Sequence, residues 1–289
     1  MVVKTAVSAG RADLHTHTTA SDGQGAPAVN VRLAREAGLA AVAITDHDTT
    51  AGIEEALAEG ARLGVRVVPG VELSTMQDGV EIHVLGYFVD WRDERWRERL
   101  RAQRNARARR NAMMLERLAE LGLPVDREEV ERAADGRASG GVIGRLHIAA
   151  ALVARGYVSS VAEAFERYLG NGGAAYVRVP RPTPREAVDW IHEAGGAAVI
   201  AHPGLYGRDD LVEALLRAGA DGIEAYHSDH GPDDEARYAD MAARLGVIAT
   251  GGSDYHGERD GKAFHGPLGG RTVDASVVDL LEAASRKHR

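Results

Sequence analysis

Two histidines separated by one residue, His15 and His17, are the strongest chemical signal in the sequence. Alternate side chains of an extended segment point to the same face, so these two imidazoles are aimed at a common point. Imidazole nitrogens are frequent ligands of transition metals. The pair therefore predicts a metal site.

Five further motifs place acids or imidazoles beside apolar, strand-like runs. They are Thr45-Asp46-His47-Asp48, Gly70-Val71-Glu72-Leu73, Glu81-Ile82-His83, Ala201-His202-Pro203-Gly204 and Gly252-Ser253-Asp254-Tyr255-His256. Enzymes of the barrel type gather their catalytic groups at strand ends, so these side chains are expected to meet the first histidine pair. The sequence has no cysteine, which excludes disulfides and thiolate ligands. Nitrogen and carboxylate ligands then indicate zinc, manganese or iron.

Strand-like and helical stretches alternate along most of the chain. Strands are predicted at residues 11–17, 40–45, 65–72, 81–88, 197–201, 222–226 and 247–251, and helices at 28–37, 50–63, 184–194, 209–218 and 232–245. This alternation is typical of an α/β fold, and seven strands predict a closed or nearly closed β/α barrel. Residues 1–91 and 179–289 are expected to form that barrel. Residues 92–178 are expected to be an inserted, mainly helical subdomain that covers the active site.

The motifs resemble those of the polymerase and histidinol phosphatase (PHP) superfamily of metal-dependent phosphoesterases. The matching segments are Asp13-Leu14-His15-Thr16-His17, Ser21-Asp22-Gly23, Thr45-Asp46-His47-Asp48-Thr49, Pro69-Gly70-Val71-Glu72, His83-Val84-Leu85-Gly86-Tyr87, Ala201-His202-Pro203-Gly204 and Gly251-Gly252-Ser253-Asp254-Tyr255-His256. The resemblance covers nearly the whole chain and implies the distorted seven-stranded barrel of that superfamily. Gly144-Arg145-Leu146-His147 and Gly222-Ile223-Glu224 resemble the branch that dephosphorylates nucleotides or trims short RNA.

The resemblance implies two to three divalent transition metals, manganese, iron or zinc. Glu72 ends a strand between the first histidine pair and His83, so its carboxylate is the expected bridge between two ions. The implied ligand groups are His15, His17, Glu72 and Asp254; Glu72, His83 and His202; and Asp22, His47 and His256. Asp46 and Asp48 flank His47 and are expected to orient imidazoles.

The chemistry implied by the resemblance is attack of a metal-bridging hydroxide on phosphorus, with Glu72 holding the bridge. Arg145 is expected to hold the non-bridging oxygens, and His147 to contact the phosphate or the leaving group. The alternative for both residues is that they pin the insertion onto the barrel. His230, or less favourably His227, is expected to bind the phosphate or to protonate the leaving oxygen.

Three histidines lie outside these motifs. His192 stands beside apolar residues in a predicted helix, so we expect it to be structural. His265 and His288 have no supporting motif and are assigned no role.

The formal net charge of −8 argues against a surface that grips duplex nucleic acid as a whole. Residues 92–110 nevertheless hold nine arginines. We interpret this run as a solvated helix face, with the alternative that Arg104 or Arg107 meets a phosphate. No signal peptide and no apolar run of membrane length is evident, so the expected location is the cytoplasm.

The sequence thus predicts a hydrolase of phosphate monoesters or short phosphodiesters of nucleotides. Nucleoside 3′,5′-bisphosphates, 5′-mononucleotides and short RNA are the expected substrates, and a small phosphorylated molecule is the expected partner. Three alternatives are a histidinol-phosphate phosphatase, an amidohydrolase that cleaves C–N bonds and a non-catalytic metal-binding nucleotide sensor. The amidohydrolase is disfavoured because no lysine lies near a central strand end to form a carboxylated bridge.

Overall fold

The computed structural model describes residues 10–133, 144–259, 262–263 and 265–289. Its ten strands are β1 (Arg11–Asp13), β2 (Ala41–Ile44), β3 (Arg66–Gln77), β4 (Val80–Tyr87), β5 (Ala197–Ile200), β6 (Gly222–His227), β7 (Ile248–Gly252), β8 (Glu258–Arg259), β9 (Lys262–Ala263) and β10 (Val273–Asp274). Eight of them form one sheet in the order β10-β1-β2-β3-β4-β5-β6-β7, and β8 pairs with β9.

The large sheet curls into a nearly closed barrel. The backbone N–H of Leu14 donates to the carbonyl of Gly251 at 3.2 Å, and Thr16 bridges to Tyr255, so the segment after β1 meets the end of β7. All seven predicted strands are present, which confirms the predicted barrel. The eighth strand, β10, was not predicted because two residues are too short to show a periodic pattern.

Strand β4 runs antiparallel to its neighbours β3 and β5. The pairs β1–β2, β2–β3, β5–β6 and β6–β7 are parallel. Asp78 and Gly79 join β3 to β4 with φ values of 52° and 81°. These conformations suit a tight hairpin turn, in which asparagine, aspartate and glycine are favoured. Ser74 pairs with His83 in this hairpin. Because side chains alternate along a strand, Glu72 and His83 project from the same face of the sheet.

The helices are α1 (Pro27–Glu36), α2 (Ile53–Leu63), α3 (Glu94–Glu120), α4 (Arg127–Ala133), α5 (Arg145–Ala154), α6 (Val161–Ala164), α7 (Pro184–Glu193), α8 (Asp209–Arg217), α9 (Pro232–Leu245) and α10 (Ser276–Ser285). A π-helical turn at Phe165–Leu169 follows α6, and 3-10 turns occupy Pro203–Leu205 and Arg286–His288. Helices α1, α2 and α7 to α10 pack their apolar faces against the strands. Among the residues described, no helix combines the length and apolar character needed to cross a bilayer.

Helix α3 belongs to two hydrophobic cores. Trp96 and Leu100, in its first half, pack into the barrel core with strand and α7 residues. Met114 and Leu118, in its second half, pack with α5 residues such as Ile148 in a separate core. The described part of 92–178 contains helices and turns without a strand. Helix α3 therefore connects the barrel core to the second core, and the division of the chain at residues 92–178 stays a prediction.

Candidate metal centre

Four buried side chains converge from the segments that follow β1 and β7 and from the middle of β3, which extends beyond the predicted end at Glu72 to Gln77. His15 and His17 bring their Nε2 atoms to 3.1 Å from each other. His17 Nε2 lies 3.2 Å from Glu72 Oε2 and 3.0 Å from Asp254 Oδ1. The corresponding distances from His15 Nε2 are 3.4 Å and 3.3 Å. The structure therefore brings together the first expected ligand group.

Glu72 faces a second group with its other oxygen. Its Oε1 lies 2.7 Å from His83 Nδ1 and 3.0 Å from His202 Nε2. The two oxygens of one buried carboxylate thus point to different imidazoles: Oε1 faces His83 and His202, and Oε2 faces His15, His17 and also His47 Nδ1, which lies 3.0 Å away. This is the arrangement expected of a bridging ligand.

A third group forms around Asp22. Its Oδ1 lies 3.4 Å from His256 Nε2, and its Oδ2 lies 3.8 Å from His47 Nε2. His17 Nδ1 is 3.8 Å from Asp22 Oδ1, so the ring of His17 stands between the first group and the third. All nine side chains expected to bind metal therefore lie in one cluster.

Several donor atoms of the cluster lack a hydrogen-bond partner and could instead bind metal ions. His17 Nδ1, Asp22 Oδ1, His47 Nδ1 and Asp254 Oδ1 are buried and make no hydrogen bond of acceptable geometry. A buried polar atom without a partner is costly, and convergent imidazoles and carboxylates are the ligands that divalent transition metals take. The residues present therefore fit such ions, and we name this set the metal cluster.

The charges within the metal cluster shift the pKa values of its side chains. Burial alone would lower the pKa of His17, but contacts with Asp254 and Glu72 raise it to about 10. Burial alone would raise the pKa of Glu72, but the charges of His47, His83 and His15 hold it well below its usual range. A ligand must lose its proton to bind, so metal binding to the cluster should release protons near neutral pH.

Glu224, in the middle of β6, positions two ligands, a role that the sequence does not predict. His15 Nδ1–H donates to Glu224 Oε1 at 3.0 Å, and the backbone N–H of His202 donates to Oε2 at 2.8 Å. A carboxylate on the outer nitrogen of a ligating imidazole fixes the tautomer and the orientation of the ring. The signal in the sequence is an acid within an otherwise apolar predicted strand, in Gly222-Ile223-Glu224.

Asp46 and Asp48 do not orient imidazoles as expected. Asp46 accepts hydrogen bonds from the backbone and hydroxyl of Thr18 and from the hydroxyl of Ser21. Asp48 accepts from the backbone N–H of Ser74 and pairs with Arg107. Both carboxylates therefore hold the loops that carry ligands. The contrast arises because the buried loops offer N–H and hydroxyl donors that need acceptors.

The backbone of the cluster is strained where ligands must be aimed. The ligands His202 and Asp254 have φ values of 24° and 53°, and Asp48, which follows the ligand His47, has a φ value of 51°; residues other than glycine rarely adopt this region. Such strain is typical of functional sites, where the surrounding structure over-determines it. At Gly252 a Cβ atom would lie 2.4 Å from the Cβ of His15, so only glycine allows β7 to approach the first ligand this closely.

A cavity of about 470 Å³ opens above the metal cluster. Seven of the nine cluster side chains form its floor, and the remaining lining residues are Glu81, Arg107, Arg110, Arg145, Leu146, Val161, Ala162, Phe165, Leu205 and His265. Most of the apolar lining comes from α5, α6 and the π-helical turn of the insertion. The cavity is therefore bounded by metal ligands below, arginines on one side and apolar side chains on another.

Two of the residues expected to contact substrate come from α5. Arg145 lines the cavity, with its Nη2 donating to Glu81 at 2.6 Å. His147 Nδ1 accepts from the backbone N–H of Gly144 at 3.1 Å, which caps the start of α5. His147 is not among the described residues that line the cavity. Arg145 thus faces the cavity, whereas the described contact of His147 holds the start of α5; the substrate roles of both residues stay predictions.

His227 and His230 lie behind the cavity. His230 Nδ1–H donates to the carbonyl of Ala225 at 2.9 Å, and its Nε2 accepts from the backbone N–H of Gly204 at 3.1 Å. Both ring nitrogens are engaged by backbone, which leaves His230 no free nitrogen to protonate a leaving group. His227 is fully buried, with Nε2 at 3.4 Å from Asp254 Oδ2. These rings buttress ligand loops, a use that the motif alone does not distinguish from catalysis.

The arginines of α3 lie on different faces of the helix, and only some of them line the cavity. Arg104 donates to the backbone carbonyl of Asp48 and lies outside the cavity lining. Arg107 is buried in the cavity wall, 3.1 Å from Asp48 Oδ2. Arg110 also lines the cavity and was missed, as was His265, whose Nε2 lies 3.4 Å from Asp254 Oδ2. Only the helix orientation shows which arginines face inward.

Comparisons with known proteins agree with this geometry. Residues 13–171 match the PHP domain. The chain is 38% identical over 251 residues to the 5′-3′ exoribonuclease Rnm of Escherichia coli, covering 84% of each chain. It is 39% identical over 250 residues to the phosphoribosyl 1,2-cyclic phosphate 1,2-diphosphodiesterase of Eggerthella lenta, covering 85% of this chain and 94% of the relative. A structure from Bifidobacterium adolescentis, assigned as a metal-dependent phosphoesterase, has a TM-score of 0.84 at 34% identity, covering 94% and 96% of the two chains.

Proposed function

The chain belongs to the PHP domain family, and we propose that it is a metal-dependent phosphoesterase whose substrates are phosphate esters of nucleotides. Nucleoside 3′,5′-bisphosphates, 5′-mononucleotides and short RNA are the members of this class that we favour. The observation that carries the proposal is the position of Glu72, whose two oxygens face two ligand groups on the floor of the cavity.

The chemistry divides between the bound ions and the protein. Divalent cations, when bound, make a water molecule acidic enough to act as a nucleophile near neutral pH and neutralise the charge of a phosphate ester. The chain itself supplies the ligand set, keeps it rigid through Glu224 and Asp46, and presents Arg145 to the non-bridging oxygens. Hydrolysis then breaks one P–O bond, adds the elements of water and releases an alcohol and a phosphate.

The lining of the cavity favours a nucleotide over a small phosphate ester without an apolar part. Leu146, Val161, Phe165 and Leu205 form an apolar surface beside the metal cluster and the arginines. An aromatic ring and aliphatic side chains can contact the face of a nucleobase, while the arginines contact phosphate oxygens. A volume of about 470 Å³ lies within the roughly 300–1,000 Å³ range of small-molecule sites. Of the two relatives named above, one is an exoribonuclease by name, which agrees with this preference, and the other is named for a phosphoribosyl cyclic phosphate.

A phosphate-release screen tests the proposal. Purified protein with added manganese is incubated with nucleoside bisphosphates, mononucleotides, short 5′-phosphorylated RNA, histidinol phosphate and an amide substrate set. We expect release from the nucleotide or RNA substrates and loss of release in Asp254→Asn, with His192→Asn as the matched control. No hydrolysis of any phosphate ester, or equal rates in wild type and Asp254→Asn, would refute the proposal. A preference for histidinol phosphate would mean that nucleotides are not the substrate class of this enzyme.

A further inference from the structure

Arg110 is a buried cation whose counter-charge is missing. Its side chain is only 3% exposed and lines the catalytic cavity. Its Nη2 makes one long contact, 3.4 Å to the amide oxygen of Asn111, and its Nε makes no hydrogen bond. Among the described residues, no carboxylate lies within ion-pair distance of Arg110. A guanidinium cannot lose its proton in a protein, so this burial is unfavourable until an anion arrives.

The neighbouring arginines already have partners. Arg107 pairs with Asp48 at 3.1 Å, and Arg145 pairs with Glu81 at 2.6 Å. Arg181 also contacts Glu81, so this carboxylate serves two guanidinium groups. The arginine side of the cavity therefore carries more positive than negative charge. Arg110 contributes to this excess and, unlike the other three arginines, contacts neither carboxylate.

The position of Arg110 separates it from the metal cluster. Arg107 contacts Asp48 and Ser74, which stand next to ligand-bearing segments. Arg110 lies three residues later on α3, which is about 4.5 Å further along the helix. In that direction α3 enters the core of the insertion, where Met114 is buried. Arg110 thus lies on the insertion side of the cavity, beyond the place where a phosphate would meet the metal cluster.

We propose that Arg110 binds a second phosphate group of the substrate, distinct from the one that is hydrolysed. This inference rests on the proposed function and narrows its substrate class to molecules that carry two phosphates, such as nucleoside bisphosphates or oligonucleotides. The planar guanidinium can donate two parallel hydrogen bonds to phosphate oxygens. The second phosphate supplies the missing counter-charge, and Arg110 selects for its presence without taking part in bond cleavage.

Paired substrates test the assignment. Values of kcat/KM are measured on adenosine 3′,5′-bisphosphate and on adenosine 5′- and 3′-monophosphates for wild type, Arg110→Gln and Arg110→Lys. We expect Arg110→Gln to lose about 10- to 100-fold on the bisphosphate, through KM, and to change little on the monophosphates. Arg110→Lys should lose less, because it keeps the charge without the fork. Arg109→Gln is the matched control, since its exposed neighbouring side chain does not line the cavity.

Binding provides a readout that does not depend on turnover. The same nucleotides are titrated calorimetrically into Asp254→Asn with and without Arg110→Gln. The proposal requires that the second substitution weaken only the bisphosphate. Equal weakening of all three nucleotides would assign Arg110 to the hydrolysed phosphate and overturn the inference, as would no change at all. Failure of the wild type to hydrolyse any nucleotide would refute the proposed function, while these titrations would still decide the role of Arg110.

Discussion

The chain contains a second cluster of the same residue types, outside the cavity. His192 on α7, Asp221 just before β6 and His288 in the last 3-10 turn form this peripheral triad. The rings of His192 and His288 stack with centroids 3.6 Å apart, and their Nε2 atoms lie 2.8 Å and 3.3 Å from the carboxylate of Asp221. By composition alone, the triad and the metal cluster look alike.

The two clusters differ in how their polar atoms are satisfied. Asp221 Oδ2 also accepts from the backbone N–H of Ala198, and the three side chains of the triad are partly exposed. Each carboxylate oxygen already has a donor, so the triad is complete without an ion. In the metal cluster, Asp22 Oδ1 and Asp254 Oδ1 are buried and make no hydrogen bond. The backbone of Asp254 is also strained. Unsatisfied, convergent and strained donors mark a binding site, whereas satisfied ones mark a structural tie.

The strongest test of this contrast is to remove the bridge. Glu72→Gln should lose metal and hydrolysis together, by more than the roughly 10- to 100-fold that loss of an outer partner costs, because one carboxylate serves two ligand groups. Elemental analysis, steady-state rates and circular dichroism are measured on the same preparation. His192→Asn, from the triad, should keep both properties. Similar metal contents in the two variants would contradict the proposal that the metal cluster binds ions and the triad does not.

A smaller effect is expected when a ligand is left in place but its support is removed. Glu224→Gln replaces the acceptor of His15 with a neutral amide, so we expect metal affinity or activity to fall by about 10- to 100-fold. Metal titration of the ion-free protein measures the change, with Glu120→Gln at the exposed end of α3 as the control. An unchanged affinity would mean that His15 is held by packing alone.

The smallest effect is expected in the triad, and it concerns stability. Asp221→Asn should lower the free energy of unfolding at neutral pH by about 1–2 kcal/mol and leave kcat/KM unchanged. Burial alone would raise the pKa of Asp221, but hydrogen bonds from His192 and the Ala198 N–H lower it below its usual 3.8. The ionised carboxylate therefore stabilises the fold above pH 3.8, and this contribution is lost as the pH falls below that value.

Denaturant unfolding of wild type and Asp221→Asn across pH 3 to 8 measures this prediction. The difference between the two proteins should shrink on acidification. A loss of activity at neutral pH, with the fold intact, would instead connect the triad to the catalytic site.

The barrel and the convergence of the nine candidate ligands could be predicted from the sequence, because both depend on local signals. His15 and His17 alternate on one strand end, and apolar runs locate the seven strands without reference to tertiary contacts. The role of Glu224 depends on a ring 209 residues away in the chain, and no periodicity records such a pairing. Arg110 depends on the rotation of α3, which packing against two separate cores determines.

His230 illustrates a different limit. Its place in Ser228-Asp229-His230 is compatible with catalysis and with a structural role, because both require a polar ring near the strand end. Which of these two roles His230 takes depends on which backbone groups need a hydrogen-bond partner once the loops have folded. Here Ala225 and Gly204 take both nitrogens. A sequence resemblance indicates that a residue lies near the site, but only the structure shows which groups its atoms contact.

The metal cluster joins the two extremes of the chain, and this has a consequence during synthesis. Ser253 hydrogen-bonds to Asp13 across 240 residues, and His15 meets Asp254 beside it. A ribosome that has translated only the first half of the chain has exposed His15 and His17 long before their partners exist. Non-local contacts of this kind form slowly and late in folding. The nascent protein therefore cannot assemble its full ligand set until the segment that follows β7 has been made, so complete metal loading must wait for the last part of the chain.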